Sequence, residues 1–141
     1  MGLFDFLSKS KSEKNGGAAP TKSDKEIARL AKLTGAKLAQ NYDRQEAIEE
    51  LSRIATSASA RALLRRFDFT MEPSITDQEE KESAARGVVA AGEQAIEPIR
   101  DYCKKAESLT WPLKTLKDIV PAEGFCDELL AVLDLFDTEY V

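Results

Sequence analysis

The chain has 141 residues, of which 43% are hydrophobic and 32% are charged, and its formal net charge is −5. This length and composition are typical of one globular domain with a hydrophobic core, and they exclude a chain that is disordered throughout. There is no histidine and no C-x-x-C cysteine pair, so the commonest general base and the usual zinc-binding patterns are missing. We therefore expect no catalytic, cofactor-binding or metal-binding residues.

A short apolar cluster, MGLFDFL, opens the chain and precedes several lysines. The side chains that would share one face of a two-turn helix are Leu3, Phe4, Phe6 and Leu7. Such a face suits a weak peripheral membrane anchor, a peptide that docks on a partner protein, or a segment that packs back on its own domain. The Ser-, Lys- and Gly-rich residues that follow predict a flexible arm over residues 1–22, ahead of a helical domain over residues 23–141.

Capping boxes, in which Ser, Thr or Asp is followed three residues later by Glu, indicate where helices start. The pairs of this kind are Ser23 and Glu26, Asp43 and Glu46, and Thr76 and Glu79. Residues 56–59 predict a short turn that leads to a partner helix with Leu63 and Phe67 on its apolar face. Residues 68–76 interrupt the helical pattern as a long insert.

Glycine and proline divide the second half of the chain. Gly92 separates two helices, and Pro98 predicts that the second of them begins late or opens with an irregular turn. Thr110 and Pro112 begin the next helix, and Pro121 ends it and begins the last one. No run combines strict alternation with β-branched residues, so we expect no sheet.

Apolar helical stretches recur at a fixed interval. Leu63, Ile96 and Leu129 are 33 residues apart, and the same shift relates Asp68 to Asp101. A period of roughly 20–50 residues is typical of stacked helical repeats, which usually build a binding surface. Because the first helices of the presumed pairs are unevenly spaced, an unrelated helical bundle is the alternative.

Two segments carry a family resemblance. Residues 81–99, KESAARGVVAAGEQAIEPI, look like one unit of the HEAT-like repeat, with an Ala-rich helix, a Gly turn and a second helix that opens with Ala-Ile and a Pro. Residues 109–120, LTWPLKTLKDIV, resemble the first helix of the next unit. The chain is similar, over residues 40–137, to bacterial HEAT-repeat-domain proteins of unassigned function. The resemblance implies an all-α, irregular HEAT-like solenoid of six or seven helices with a scaffold or adaptor role.

Aromatic residues near the end of this repeat region are candidate partner-binding side chains. Trp111, at a helix start, would pack half-buried against the neighbouring unit or anchor an interface. Phe136 and Tyr140 follow an apolar final helix. Three alternatives account for that apolar stripe: further repeats continue in a longer protein, the face meets a partner, or it points inward.

Arg61, Arg65 and Arg66, with two phenylalanines beside them, raise the possibility of nucleic-acid binding. The chain is acidic around them, however, and a phosphate-binding face normally needs a wider basic stripe. We expect these arginines to pair with the acidic segment 77–82 instead. The acids of that segment, Asp77, Glu79, Glu80 and Glu82, are interpreted as a helix first turn that favours negative charge.

The function expected from the sequence is a non-enzymatic protein–protein interaction module with a protein partner. The alternatives are a peripheral membrane-surface adaptor held by residues 1–7 and, less favoured, a nucleic-acid-binding HEAT-like protein. No stretch approaches the roughly 18 apolar residues of a membrane span, and we expect no secretory signal, because residues 1–7 lack a continuous apolar region and a cleavage site. We expect a cytoplasmic protein, with the inner face of the membrane as an alternative place, and Cys103 and Cys126 reduced and buried.

Overall fold

The structure, a computed structural model, describes the backbone of residues 22–134 and the side-chain environment of residues 23–131. The described chain is helical and contains no strand, which confirms the expected all-α class for these residues. The helices are α1 (Lys22–Thr34), α2 (Asn41–Ile54), α3 (Ser57–Leu64), α4 (Ser74–Ala90), α5 (Ile96–Cys103), α6 (Thr110–Ile119) and α7 (Ala122–Asp134). Two 3₁₀ turns accompany these helices: Arg65–Asp68 follows α3, and Gly92–Ala95 precedes α5.

The helix boundaries set by proline and glycine are those expected from the sequence. Gly92 adopts a left-handed φ of 66°, and the 3₁₀ turn that follows leads into α5, with Pro98 at the third helical position. A proline is tolerated there because the first N–H groups of a helix have no intrahelical acceptor. The predicted starts of α6 at Thr110 and of α7 after Pro121 are likewise confirmed.

The three predicted capping boxes are wrong, and two of them lie three residues after the N-caps of the structure, Gln40 and Pro73. α2 begins at Asn41 and α4 at Ser74, so Asp43 and Thr76 lie inside their first turns. Ser23 also lies within a helix, α1, and Glu26 pairs with Arg29. Since α4 begins at Ser74, the insert predicted over residues 68–76 is shorter than expected.

A capping box does occur at a segment that was expected to be only a turn. The Thr56 hydroxyl accepts a hydrogen bond from the Ser59 backbone N–H at 3.2 Å, and the Ser59 hydroxyl accepts one from the Thr56 N–H at 2.8 Å. These bonds satisfy two of the N–H groups that a helix start leaves unpaired. They fix the start of α3 only three residues after α2 ends.

The helices pack in two rows. α2 contacts α4 and α4 contacts α6, while α3 contacts α5 beside them, and α1 lies across α2 and α3. The core fills the space between the rows. Its fully buried apolar side chains include Leu51, Leu63, Leu64, Val88, Ile99 and Leu116.

Gly87 allows α4 to approach α2 and α3 closely. A Cβ atom built at this position would lie 2.7 Å from a Leu63 methyl group and nearer still to the Ser52 hydroxyl. Any larger residue would therefore overpack the junction of the two rows. By contrast, a Cβ atom at Gly124 of α7 would meet nothing within 4 Å.

Candidate functional site

A buried ionic network lies at the junction of α2, α4 and the 3₁₀ turn after α3. Glu80 of α4 is fully buried between two guanidinium groups. Arg66 donates from Nε to Glu80 Oε1 at 2.7 Å and from Nη2 to Asp77 Oδ1 at 2.7 Å. Arg44 of α2 donates from Nε to Glu80 Oε1 at 2.8 Å and from Nη2 to Glu80 Oε2 at 3.1 Å. The side-chain amide of Asn41 also donates to Glu80.

The same arginines hold the loops on either side of the network. Arg44 donates from Nη1 to the carbonyl oxygens of residues 36, 37 and 39, at 3.1, 3.2 and 2.6 Å, which fixes the α1–α2 connection. Arg66 donates from Nη1 to the Phe69 carbonyl at 3.0 Å, and its guanidinium carbon lies 4.2 Å from the centre of the Phe69 ring. Both loops flanking the network are therefore tied to buried charges.

Asp77 and Lys81 complete the network at its edge. Asp77 Oδ1 accepts the Met71 backbone N–H at 3.2 Å, and Lys81 Nζ lies 2.9 Å from Asp77 Oδ2 and donates to the Thr70 hydroxyl at 3.1 Å. Burial alone would raise the pKa of both carboxyl groups, but the hydrogen bonds from the surrounding cations outweigh it and hold the pKa of Asp77 and of Glu80 below their ordinary values. Both groups are therefore charged at neutral pH.

These contacts confirm part of the predicted pairing of the arginines with segment 77–82. Arg66 pairs with that segment, whereas Arg61 pairs instead with Asp101 of α5. Asp77 lies in the first turn of α4, as interpreted from the sequence. Glu80 lies beyond that turn, because α4 begins at Ser74, and it is fully buried. The first-turn interpretation is therefore wrong for Glu80. Every charge of the network is thus paired, and its hydrogen bonds hold both the turn of residues 65–68 and the α1–α2 connection against α4.

That turn forms one end of a surface groove between α3 and α5, with a volume of about 610 Å³. Pro98, Tyr102 and Ala106 provide apolar surface in this α3–α5 groove. Its charged lining is mixed. The cationic side chains are Arg61, Arg65, Lys104 and Lys105, and the carboxylates are Asp68 and Asp101.

The two carboxylates of the groove are already engaged. Asp101 accepts a hydrogen bond from Arg61 at 2.8 Å and lies 3.5 Å from Lys104 Nζ. The Arg61 bond is the largest cause of the lowered pKa of Asp101. Asp68 accepts a bond from the Tyr102 hydroxyl at 2.6 Å.

Two cations of the groove have no such partner. In the described part of the chain, Arg65 and Lys105 form no ion pair, and both are exposed. The lining thus carries more positive than negative charge, although the chain as a whole is acidic.

An aromatic row leads from this groove to Trp111. The Phe67 ring stacks on Trp111 at 5.7 Å between centroids with an interplanar angle of 14°, and it meets Tyr102 edge-on at 6.4 Å. Lys114 Nζ lies 4.9 Å from the centre of the Trp111 ring. Burial and the carboxylate of Asp68 raise the pKa of Tyr102 far above its ordinary value. The hydroxyl of Tyr102 therefore stays a hydrogen-bond donor throughout the neutral range.

Trp111 is half-buried, which is one of the two environments expected from the sequence. Its side chain lines a second groove, between α4 and α6. That groove has a volume of about 560 Å³, and Ala85, Val89 and Ala90 supply its apolar surface. Because Phe67 and Lys114 both contact the ring, much of Trp111 is already used inside the domain. Its role as a partner-binding residue stays a prediction.

Several sequence-predicted binding residues lie outside the described residues. These are Leu3, Phe4, Phe6 and Leu7 of the N-terminal cluster, and Phe136 and Tyr140 near the end of the chain. The residues that the sequence analysis missed are Tyr102, Lys104 and Lys105. The CKK sequence at the end of α5 was an available signal, but only the packing of α5 beside α3 brings it next to Arg61 and Arg65.

Within the described ranges, no group of three or more Cys, His, Asp or Glu residues is arranged to hold a metal ion. Over the same residues, no helix has the length and apolar character needed to span a bilayer. Of the two cysteines, Cys103 is buried as expected, whereas Cys126 is exposed, which corrects the prediction for that residue; both are free thiols.

Comparison with known proteins gives no match to a protein-family model, a curated protein or a solved structure.

Proposed function

We propose that the chain is a non-enzymatic protein–protein interaction module built on HEAT-like helix pairs, and that a partner protein binds in the α3–α5 groove. The observation that carries this proposal is the groove itself, an open channel with apolar surface between two neighbouring helices. In stacked helical repeats, the second helices of successive pairs line one continuous face, which commonly binds extended partners. α3 and α5 would be such second helices here.

Residues 33 positions apart share an environment at some positions only. Ala62 and Ala95 are both buried, and Asp68 and Asp101 both line the α3–α5 groove. At the same shift, however, Leu64 is buried whereas Glu97 is exposed. The 33-residue register therefore supports the repeat only in part, and the proposal rests on the groove between α3 and α5.

The rigidity of one wall of the groove also supports binding. The turn that carries Arg65 and Asp68 is anchored through Arg66 to the buried carboxylates of α4. A surface that is held in place before binding loses less conformational entropy when a partner arrives. We therefore favour the α3–α5 groove over a surface formed by an unsupported loop.

The proposal is tested by selecting random twelve-residue peptides on the full chain and on a variant whose groove is filled. Ala106→Trp places a large side chain in the groove, at a position in the connection after α5. Ala28→Trp, an exposed position of α1 away from this groove, is the matched control. We expect selected peptides to bind wild type and the control but not Ala106→Trp. Peptides that bind all three chains equally would place the binding surface elsewhere.

A further inference from the structure

We infer that the segment bound in the α3–α5 groove is acidic and carries an apolar side chain. This inference rests on the proposed function and adds the chemistry of the partner. Its basis is the mismatch between the groove, in which four cations face two carboxylates, and a chain whose formal net charge is −5. Charge complementarity of this kind selects partners and accelerates their encounter.

The arrangement of the cations indicates where a carboxylate would bind. Asp101 already serves both Arg61, at 2.8 Å, and Lys104, at 3.5 Å, so this pair of cations is largely satisfied within the chain. Arg65 and Lys105 form no ion pair in the described residues. They are therefore the cations of the groove that can bind an incoming carboxylate. The guanidinium of Arg65 lies beside Gly35, makes no ion pair with a described residue, and offers a fork that matches a carboxylate.

Apolar surface lies between these charges. Pro98 is buried below the groove, and Tyr102 and Ala106 line it. The Tyr102 hydroxyl is committed to Asp68, so the exposed part of its ring is left for contact with an apolar group. A peptide with acids at either side of one apolar residue would satisfy both parts of the surface.

A nucleic acid is a weaker fit to the same groove. A phosphate chain would pass the carboxylates of Asp68 and Asp101 as well as the cations, and repulsion from them would reduce the gain. A basic stripe without interleaved acids is the usual footprint for phosphates. The experiment nevertheless includes a single-stranded oligothymidylate as a second probe.

The test uses charge reversal with a control of equal net charge. Arg65→Glu with Lys105→Glu changes the groove, and Lys25→Glu with Lys117→Glu makes the same change at exposed cations outside it. We expect the library selected on wild type to be enriched in Asp and Glu. The best peptide should bind the groove variant roughly tenfold or more weakly, and the control within a few-fold of wild type. Added salt should weaken binding to wild type more than to the groove variant.

Other outcomes overturn the inference, and two of them separate it from the proposed function. Selected peptides that are neutral or basic, yet are lost in Ala106→Trp, would refute the acidic partner and leave the groove as a protein-binding site. Peptides insensitive to both Ala106→Trp and the charge reversal would refute both statements. Oligothymidylate that binds wild type but not Arg65→Glu with Lys105→Glu would replace the peptide with nucleic acid. Circular dichroism of each variant confirms that it is folded.

Discussion

Replacing Glu80 by Gln tests whether the buried network holds the domain together. Gln has nearly the same volume but no charge, and its amide N–H₂ would face donors from Arg44, Arg66 or Asn41. The substitution therefore leaves two buried guanidinium groups with Asp77 as the nearest remaining carboxylate of the network. Removing one member of a buried ion pair costs about 3–5 kcal/mol of the free energy of unfolding. Domains typically have about 5–15 kcal/mol in total, so a large part of the stability is at risk.

The matched control is the neighbouring substitution Glu79→Gln, the same chemical change at an exposed position of α4. Urea unfolding would be followed by circular dichroism and by the fluorescence of Trp111, the single tryptophan, which stacks on Phe67. The control should lie within about 0.5 kcal/mol of wild type. If Glu80→Gln fell in the same range, the conclusion that these buried charges stabilise the fold would be refuted.

The pH dependence of stability follows from the same carboxylates. Their pKa values lie below the ordinary 4.5 of Glu80 and 3.8 of Asp77, so the folded state favours the charged forms. The resulting stability is fully present above these ordinary values and is lost as the pH falls below them, through the lowered pKa values of the folded state. The urea midpoint of wild type should therefore drop on acidification below about pH 4.5, and that of Glu80→Gln should drop less.

Three further predictions concern packing, backbone strain and thiol reactivity. Gly87→Ala should lower the free energy of unfolding by about 1–3 kcal/mol through overpacking. Gly124→Ala, in open space within α7, should raise it by about 0.5–1 kcal/mol. If urea unfolding gave changes of the same sign for both variants, the close packing at Gly87 would be contradicted. Ala55, the residue that follows α2, has a left-handed φ of 52°, so Ala55→Gly should stabilise the fold by up to about 1 kcal/mol and raise the thermal midpoint. An unchanged midpoint would argue against backbone strain at this residue. Burial raises the pKa of the Cys103 thiol to about 11. A thiol reagent should therefore label the exposed Cys126 in the native chain and Cys103 only after denaturation, and mass spectrometry would detect both products. Labelling of both cysteines in the native chain would disprove the burial of Cys103.

The parts of the fold that could be predicted from sequence are those decided by local backbone chemistry. Pro98, Pro121 and Gly92 restrict or release φ wherever they occur, and the structure places helix starts and turns at each of them. The capping boxes failed for a physical reason. Acidic residues are favoured both at the cap and throughout the first turn, so a pattern such as Asp43 to Glu46 does not say which of these positions it occupies.

The candidate site was less predictable because its contacts join residues far apart in sequence. Glu80 looks like any member of an acidic run, and its burial depends on Arg44, which lies 36 positions earlier. Arg65 and Arg66 are chemically identical neighbours, yet one is exposed in the groove and the other is fully buried. Neighbouring residues of a helical turn point in different directions, and only the packing of this turn against α4 shows which of the two arginines is buried.

The two arginines of the turn at residues 65–68 have different roles in the proposed binding surface: Arg66 holds the turn in position, and Arg65 contributes charge to the groove. Arg66 fixes the turn against α4, and Arg65 of the same turn lines the groove as an exposed cation that makes no ion pair with a described residue. Charge reversal at Arg65 should therefore change the affinity for an acidic peptide with little effect on urea unfolding, because exposed charges contribute little to stability. Glu80→Gln should instead lower the free energy of unfolding, and it should weaken peptide binding only indirectly, by displacing the turn that Arg66 holds. Measuring both peptide affinity and unfolding for Arg65→Glu and for Glu80→Gln would thus distinguish residues that bind the partner from residues that stabilise the fold.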